Sequence, residues 1–277
     1  MKDALTSAID RFAAASVGSP RMNAEMLLMF TLNCDRAHLF AHPERELTNE
    51  EQSRYEEAIT QRVRGVPAQY ITGHQEFWSM DFIVTPAVLI PRPETEHVIE
   101  TVLPLARTTK NPRIVDVGTG SGCIALALAK ELSESEIHAT DISPSALEIA
   151  KANASRHQLA GRIHFHESDL LKNLPLQYFD LIVSNPPYVG ESEEDQVQLE
   201  VRKFEPRNAV FAGLTGLEVI ERLIPQAISA LKSEGWLVME ISGTIAEGVK
   251  RLLTAWRHLQ IINDLQGIPR VVSAQRP

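Results

Sequence analysis

The sequence predicts an α/β fold, a mostly parallel, helix-wound sheet preceded by a small helical bundle. Three observations carry this. Residues 1–75 show apolar side chains at helical spacing and no strand-like run. From Pro93 onward, short β-branched runs alternate with helical stretches, the pattern of βαβ units. The last two strand-like runs are separated only by a Gly-Ile-Pro turn, so one of them is expected to run antiparallel.

The elements follow in chain order. Ser19-Pro20 reads as an N-cap with proline at the first helical position, ahead of AEMLLMF. Thr48-x-x-Glu51 has the capping-box form and opens a helix running to Gly65. The stretch EFWSMDFIVTPAVLIPRPETE (Glu76–Glu96) is rich in aromatic and β-branched residues, with prolines at 86, 91 and 93. Its first half, Phe77–Val84, reads as a strand or hairpin, and the proline part as a stiff linker. Beyond it come helix 95–107, strand 113–117, helix 122–132, strand 136–141, helix 144–157, and strands 162–167 and 179–184. Helix 216–231, strand 236–242, helix 245–258 and strands near 260–265 and 270–274 complete the chain. Three domains are expected: a bundle over 1–75, a hairpin and proline linker over 76–92, and the wound sheet over 93–277.

Charge narrows the function. The chain carries a net charge of −9, and its first 75 residues hold eight Lys/Arg against ten Asp/Glu. A protein living on phosphate contacts needs a basic surface. No direct nucleic-acid partner is therefore expected. No run approaches the ~18 apolar residues of a membrane span, and the start MKDALTSAIDRF lacks an apolar signal core. Cys34 and Cys123 stand far apart in no CxxC pattern, which suits a reducing cytoplasm. Two histidine pairs, His164/His166 on a strand and His38/His42 on a helix, could each touch a metal. No third ligand is in view, so no metal is expected.

The chemistry gathers at the ends of strands. The first parallel strand ends in DVGTGSG (Asp116–Gly122), a glycine loop opening a helix, where Gly118, Thr119, Gly120, Ser121 and Gly122 can approach a ligand. Its G-x-G-x-G spacing fits the dinucleotide fingerprint poorly, which disfavours a nicotinamide dehydrogenase. The second strand ends at Asp141, placed to bind ribose hydroxyls, because Ser143 already caps the helix that follows. The third runs into SDLL, with Asp169 and Leu170. The fourth ends in SNPPY. There Asn185 presents a carboxamide, the rigid Pro186-Pro187 turn aims a main-chain carbonyl outward, and Tyr188 offers a flat face. A side-chain and a main-chain oxygen side by side match the width of one NH2 group, so the site suits a planar group bearing –NH2.

This constellation resembles the class I S-adenosylmethionine-dependent methyltransferases that act on planar nitrogens. One subfamily is similar over nearly the whole chain: the release-factor glutamine N5-methyltransferases, known as PrmC or HemK. The likeness rests on the helical front, GHQEFWSMDFIVTPAVLIPRPETE (Gly73–Glu96), DVGTGSG, SNPPY, EVRKFEPRNAVFAG (Glu200–Gly213) and GIPRVV. The resemblance implies a seven-stranded Rossmann-like methyltransferase sheet with one antiparallel strand. It implies S-adenosyl-L-methionine as cofactor, leaving S-adenosyl-L-homocysteine, and the glutamine of Gly-Gly-Gln in class I peptide chain release factors as substrate. Cofactor contacts are then expected at Gly118–Gly122, Asp141, Asp169, Leu170 and Asn185. Substrate contacts are expected at Asn185, Pro186, Pro187 and Tyr188, with Asn185, Pro186 and Tyr188 catalytic. The bundle, free of candidate catalytic groups, is expected to dock the substrate protein. An adenine-N6 methyltransferase acting on DNA or RNA is the nearest rival, since adenine also presents a planar –NH2. A non-catalytic nucleotide-binding scaffold is the second, disfavoured by the intact SNPPY.

Overall fold

The structure, a computed structural model, describes residues 1–277. It forms two compact units, one of residues 1–74 with 198–204, the other of residues 75–197 with 205–277. No helix is long and apolar enough to cross a membrane.

The first unit holds α1 (Lys2–Ala14), α2 (Pro20–Leu32), α3 (Arg36–Ala41), α4 (Asn49–Val63) and α5 (Ala68–Thr72). Phe12, Leu27, Leu28, Tyr55 and Ile59 fill its core. The capping box at α4 is complete, with Glu51 N–H donating to Thr48 Oγ1 at 3.2 Å and Thr48 N–H to Glu51 Oε2 at 2.9 Å. Ser19 departs from expectation and makes no side-chain cap bond. A capping residue needs extended backbone, and Ser19 sits at φ 47°. Asn23 closes the turn instead, its Nδ2 donating to Gly18 O at 2.8 Å. A late segment, α9 (Leu199–Phe204), belongs to this unit, and its Glu200 meets Arg62 at 2.7 Å.

The second unit opens with the hairpin of β1 (His74–Phe77) and β2 (Met80–Ile83) and continues through α6 (Glu96–Ala106). The wound sheet follows as β3 (Arg113–Val117), α7 (Cys123–Glu131), β4 (Glu136–Asp141), α8 (Pro144–Arg156), β5 (Ile163–Glu167) and β6 (Phe179–Ser184). After α10 (Arg207–Val210) come α11 (Glu218–Ala230), β7 (Leu231–Glu240), α12 (Ala246–Leu252), β8 (Arg257–Asn263) and β9 (Pro269–Gln275). The seven strands order as β5-β4-β3-β6-β7-β9-β8, and β9 runs antiparallel to both its neighbours. Two elements differ from expectation. Strand β8 is reached early because helix α12 stops at Leu252, where buried Leu253 and Trp256 turn the chain inward. Strand β7 starts at Leu231, five residues before the apolar run, and its polar start is accommodated by an irregular register against Phe179 and Leu181.

Strand residues alternate between two cores, as strands buried on both faces must. Ile114, Ile137 and Leu181 pack with Val98, Ile99 and Val102 of α6 and Leu126 of α7. Val115, Ile182 and Leu237 pack with Ile220 and Leu223 of α11 and Val249 of α12. The chain moves outward from β3 to β5 and then returns to place β6 on the other side of β3. Strand order reverses between β3 and β6, and ligands of open α/β sheets bind outside the carboxyl ends at such a point.

Candidate active site

A cavity of about 310 Å³ lies in the second unit at those carboxyl ends, within the size range of small-molecule sites. It brings together Gly118, Thr119, Gly120 and Ser121 after β3, Asp141 ending β4, Asp169 and Leu170 after β5, and Asn185 and Pro187 after β6. Gly122, Pro186 and Tyr188 do not line it. The glycines divide by task. A Cβ on Gly118 (φ 72°) or Gly120 (φ 54°) would meet nothing within 4 Å, so both leave room for a ligand against the backbone. A Cβ on Gly122 (φ 84°) would fall 2.7 Å from Leu126 Cδ1 and 3.2 Å from Ala150 Cβ. Gly122 therefore allows close packing between α7 and α8, a task different from that of the two open glycines.

Asp141 Oδ2 accepts the Gly120 N–H and Oδ1 the Ser143 N–H, both at 2.9 Å, so the acid braces the glycine loop. Ser143 Oγ accepts the Ala146 N–H at 3.2 Å and caps α8, as the sequence implied. Burial pushes the Asp141 carboxyl above its ordinary pKa, against the pull of these backbone donors. Asp169 is ion-paired to Arg222, which also lines the cavity. Asp116 was not singled out in the sequence. It is 1% exposed, its Oδ2 accepts the Thr119 hydroxyl at 2.6 Å and the Ala125 N–H at 3.2 Å, and burial raises its pKa to about 7. Its Oδ1 is buried without a partner. An acid inside the apolar strand RIVDV was the available signal. The residues present fit S-adenosylmethionine. Two open glycines allow close approach, Asp141 is an acceptor for hydroxyls, the orphaned Asp116 oxygen suits an ammonium, and exposed Ile142 supplies apolar wall.

A buried relay fixes Asn185. Thr95 Oγ1 donates to Glu240 Oε2 at 2.6 Å, which spends its only proton. Towards Asn185 it can then only accept, and Asn185 Nδ2 donates to it at 3.1 Å. The amide is thereby oriented NH2-to-Thr95, leaving Oδ1 as the acceptor for a ligand. Tyr188 Oη donates to Glu240 Oε1 at 3.0 Å, and its ring packs against the second core cluster. The ring expected as a flat face for substrate is thus partly buried, with its hydroxyl held by the buried carboxylate. Glu240 and Thr95 were missed: one ends an apolar strand and the other sits in the proline stretch, with nothing local to link them.

The same proline stretch is anchored by Glu205, which accepts the Ile90 N–H at 3.1 Å and pairs with Arg92. Trp78 is held by two acids, its N–H donating to Glu96 at 2.8 Å and its Nε1 to Glu131 at 3.0 Å. The proline stretch and the Phe77–Trp78 turn are thus both held by acids distant in sequence.

Residues 3–73 match the family model described as PrmC N-terminal domain, and residues 97–203 the one described as Methyltransferase small domain. A release factor glutamine methyltransferase of Koribacter versatilis is 55% identical, covering 100% of this chain and 99% of its own. Those of Moorella thermoacetica and Coxiella burnetii are 41% and 40% identical, covering 100% and 93% of this chain and 98% and 92% of their own. Among solved structures, a methyltransferase from Pyrococcus furiosus aligns at TM-score 0.53 and 16% identity, over 71% of this chain and 89% of that one. A ribosomal protein L11 methylase from Lactobacillus delbrueckii subsp. bulgaricus aligns at TM-score 0.50 and 22% identity, over 70% and 83%. These likenesses show the fold. Full-length identity of this order, on a chain carrying both matched domains, places the protein in the release factor glutamine methyltransferase family.

Proposed function

We propose that this protein methylates the side-chain amide nitrogen of the glutamine in the Gly-Gly-Gln motif of class I peptide chain release factors, with S-adenosyl-L-methionine as donor. The observation that carries it is the orientation of Asn185, whose Oδ1 is left as an acceptor at the cavity by the Thr95–Glu240 relay. Gly118–Ser121, Asp141 and Asp116 would hold the cofactor. Bound there, it supplies an electrophilic methyl group on a sulfonium.

The chain's own residues do the rest. An amide nitrogen is a poor nucleophile because its lone pair is delocalised. Asn185 Oδ1 would accept one of its N–H groups and the carbonyl of the adjacent Pro186, whose ring does not line the cavity, the other, aiming the lone pair and stabilising the positive charge that develops. The methylated nitrogen is strongly acidic, so water takes its proton and no dedicated base is needed. The helical first unit would dock the release factor, since one glutamine side chain offers too little surface to select a protein. A cytoplasmic location follows from this reading.

The test offers labelled S-adenosylmethionine in parallel to release factor, plasmid DNA and ribosomal RNA. Label is expected in release factor alone, on the Gly-Gly-Gln peptide. Asn185→Ala should cut that rate by about 10²–10³-fold while binding S-adenosylhomocysteine normally. Label in either nucleic acid would favour adenine as the acceptor and overturn the proposal.

A further inference from the structure

The connection from β5 to β6 carries no helix. The face of β4 and β5 that such a helix would cover carries imidazoles instead. Strands β4 and β5 pair in parallel with His138 opposite His164 and Thr140 opposite His166. Glu136, two residues before His138, lies on the same face by strand alternation. Donor atoms of Glu136, His138 and His164 all lie within 4.8 Å of one another. His138 Nε2 is 2.9 Å from Glu136 Oε1, and its Nδ1 is 2.9 Å from His166 Nε2.

We propose that Glu136, His138 and His164 form a site for a borderline transition-metal ion, with Zn2+ as the best fit. Two imidazoles and one carboxylate are ligands suited to such ions and not to Mg2+ or Ca2+. Zinc bonds of about 2.1 Å place tetrahedral ligands about 3.4 Å apart. The Glu136–His138 pair is already near that spacing, and His164 is exposed and free to close the remainder by rotating its ring.

The surroundings match those of metal-bound ligands. Tyr178 Oη donates to Glu136 Oε1 at 2.6 Å, and Arg113 Nε to Oε2 at 3.2 Å. His166 can accept from the Nδ1–H of a His138 that ligates through Nε2, which sets the tautomer. The site lies on the body of strands β4 and β5, before their carboxyl ends. Its role would be a clip across the sheet edge, separate from methyl transfer.

Calorimetric titration of the chelator-treated full chain with ZnCl2 tests this. One equivalent should bind, and Co2+ in its place should give intense tetrahedral d–d bands. His164→Ala, at an exposed position, should weaken zinc binding at least tenfold and abolish the bands, with the melting temperature of the metal-free protein unchanged. His138→Gln should likewise weaken zinc binding and abolish the bands. His42→Ala, which breaks the other imidazole pair, should change nothing. Zinc should raise the melting temperature of the wild type and not of His164→Ala. Absence of binding at millimolar zinc, or equal affinity in His164→Ala, overturns the proposal; so does loss of binding in His42→Ala.

Discussion

Glu240 acts on Asn185 without facing the cavity itself. It is 2% exposed and holds two hydroxyls, one of which orients the amide. In Glu240→Gln one carboxylate oxygen becomes an NH2 donor. If it faces Thr95, the hydroxyl proton swings to Asn185 and the amide flips. The expected result is a kcat lower by about 10²-fold with unchanged S-adenosylhomocysteine affinity. Burial holds the Glu240 pKa above the ordinary 4.5, so wild-type kcat should fall on the acid side at a higher pH than a surface glutamate would dictate. The Gln variant should lack that limb, and a limb that persists in it would assign the titration elsewhere. Asp116 affects stability as well. Its pKa of about 7, against an ordinary 3.8, means that the folded chain keeps a proton the unfolded chain has released. That stabilisation is complete below about pH 4 and is lost as pH rises to about 7. Asp116→Asn stays neutral throughout. Without cofactor its melting temperature should gain on wild type between those pH values and then hold a constant margin, while S-adenosylhomocysteine affinity falls. Melts at pH 5 and pH 8 showing the same difference would refute this account.

At the scale of elements, the β1–β2 hairpin turns on two residues in left-handed conformation, Trp78 at φ 51° and Ser79 at φ 52°. That is the geometry of a type I′ turn, which favours Asn-Gly. Neither residue is suited to it, and acids stabilise it from outside: Glu96 takes the Trp78 N–H and Glu76 the Ser79 N–H at 3.0 Å. Ser79→Gly relieves the left-handed cost and keeps the Glu76 bond. It should stabilise the protein by about 0.5–1 kcal/mol, net of the greater entropy glycine loses on folding. Thermal melting reads this directly, and a lower melting temperature would show that Ser79 contributes something beyond its backbone. The hairpin itself was legible from Phe77–Val84 as a β-branched and aromatic run. Its turn was not, because Trp-Ser carries no turn chemistry and the acids that hold it include one eighteen residues away.

For the whole molecule, the helical unit is where specificity for a protein substrate would be exerted. Phe40 on α3 is 57% exposed and Phe30 on α2 48% exposed. Large apolar rings held in water are characteristic anchors of protein interfaces. On the docking role proposed for this unit, Phe40→Ser should raise KM for intact release factor by about tenfold, the size of a modest hot spot. The kcat and the affinity for S-adenosylhomocysteine should not move, because the cavity lies wholly in the other unit. An unchanged KM for both Phe40→Ser and Phe30→Ser would remove these rings from the docking face.

The sequence by itself determined the α/β class, the antiparallel strand near the end and the strand ends that line the cavity. It also determined that Asn185 stands at one of those ends. All of these follow from local rules: residue periodicity, caps, and prolines that fix their own φ. Tertiary structure alone decided how Asn185 is oriented, since Thr95 and Glu240 lie 90 and 55 residues away along the chain and meet it only through the order of β6 and β7. It also separated Gly122 from the glycines it sits beside, because that difference lies in Leu126 and Ala150 across a helix packing. The register of β4 on β5 likewise set Glu136 and His138 beside His164, bringing side chains of two strands into one cluster. Local signals fix most element types and which face is apolar. Hydrogen-bond partners across a sheet depend on register and strand order, which local sequence does not specify.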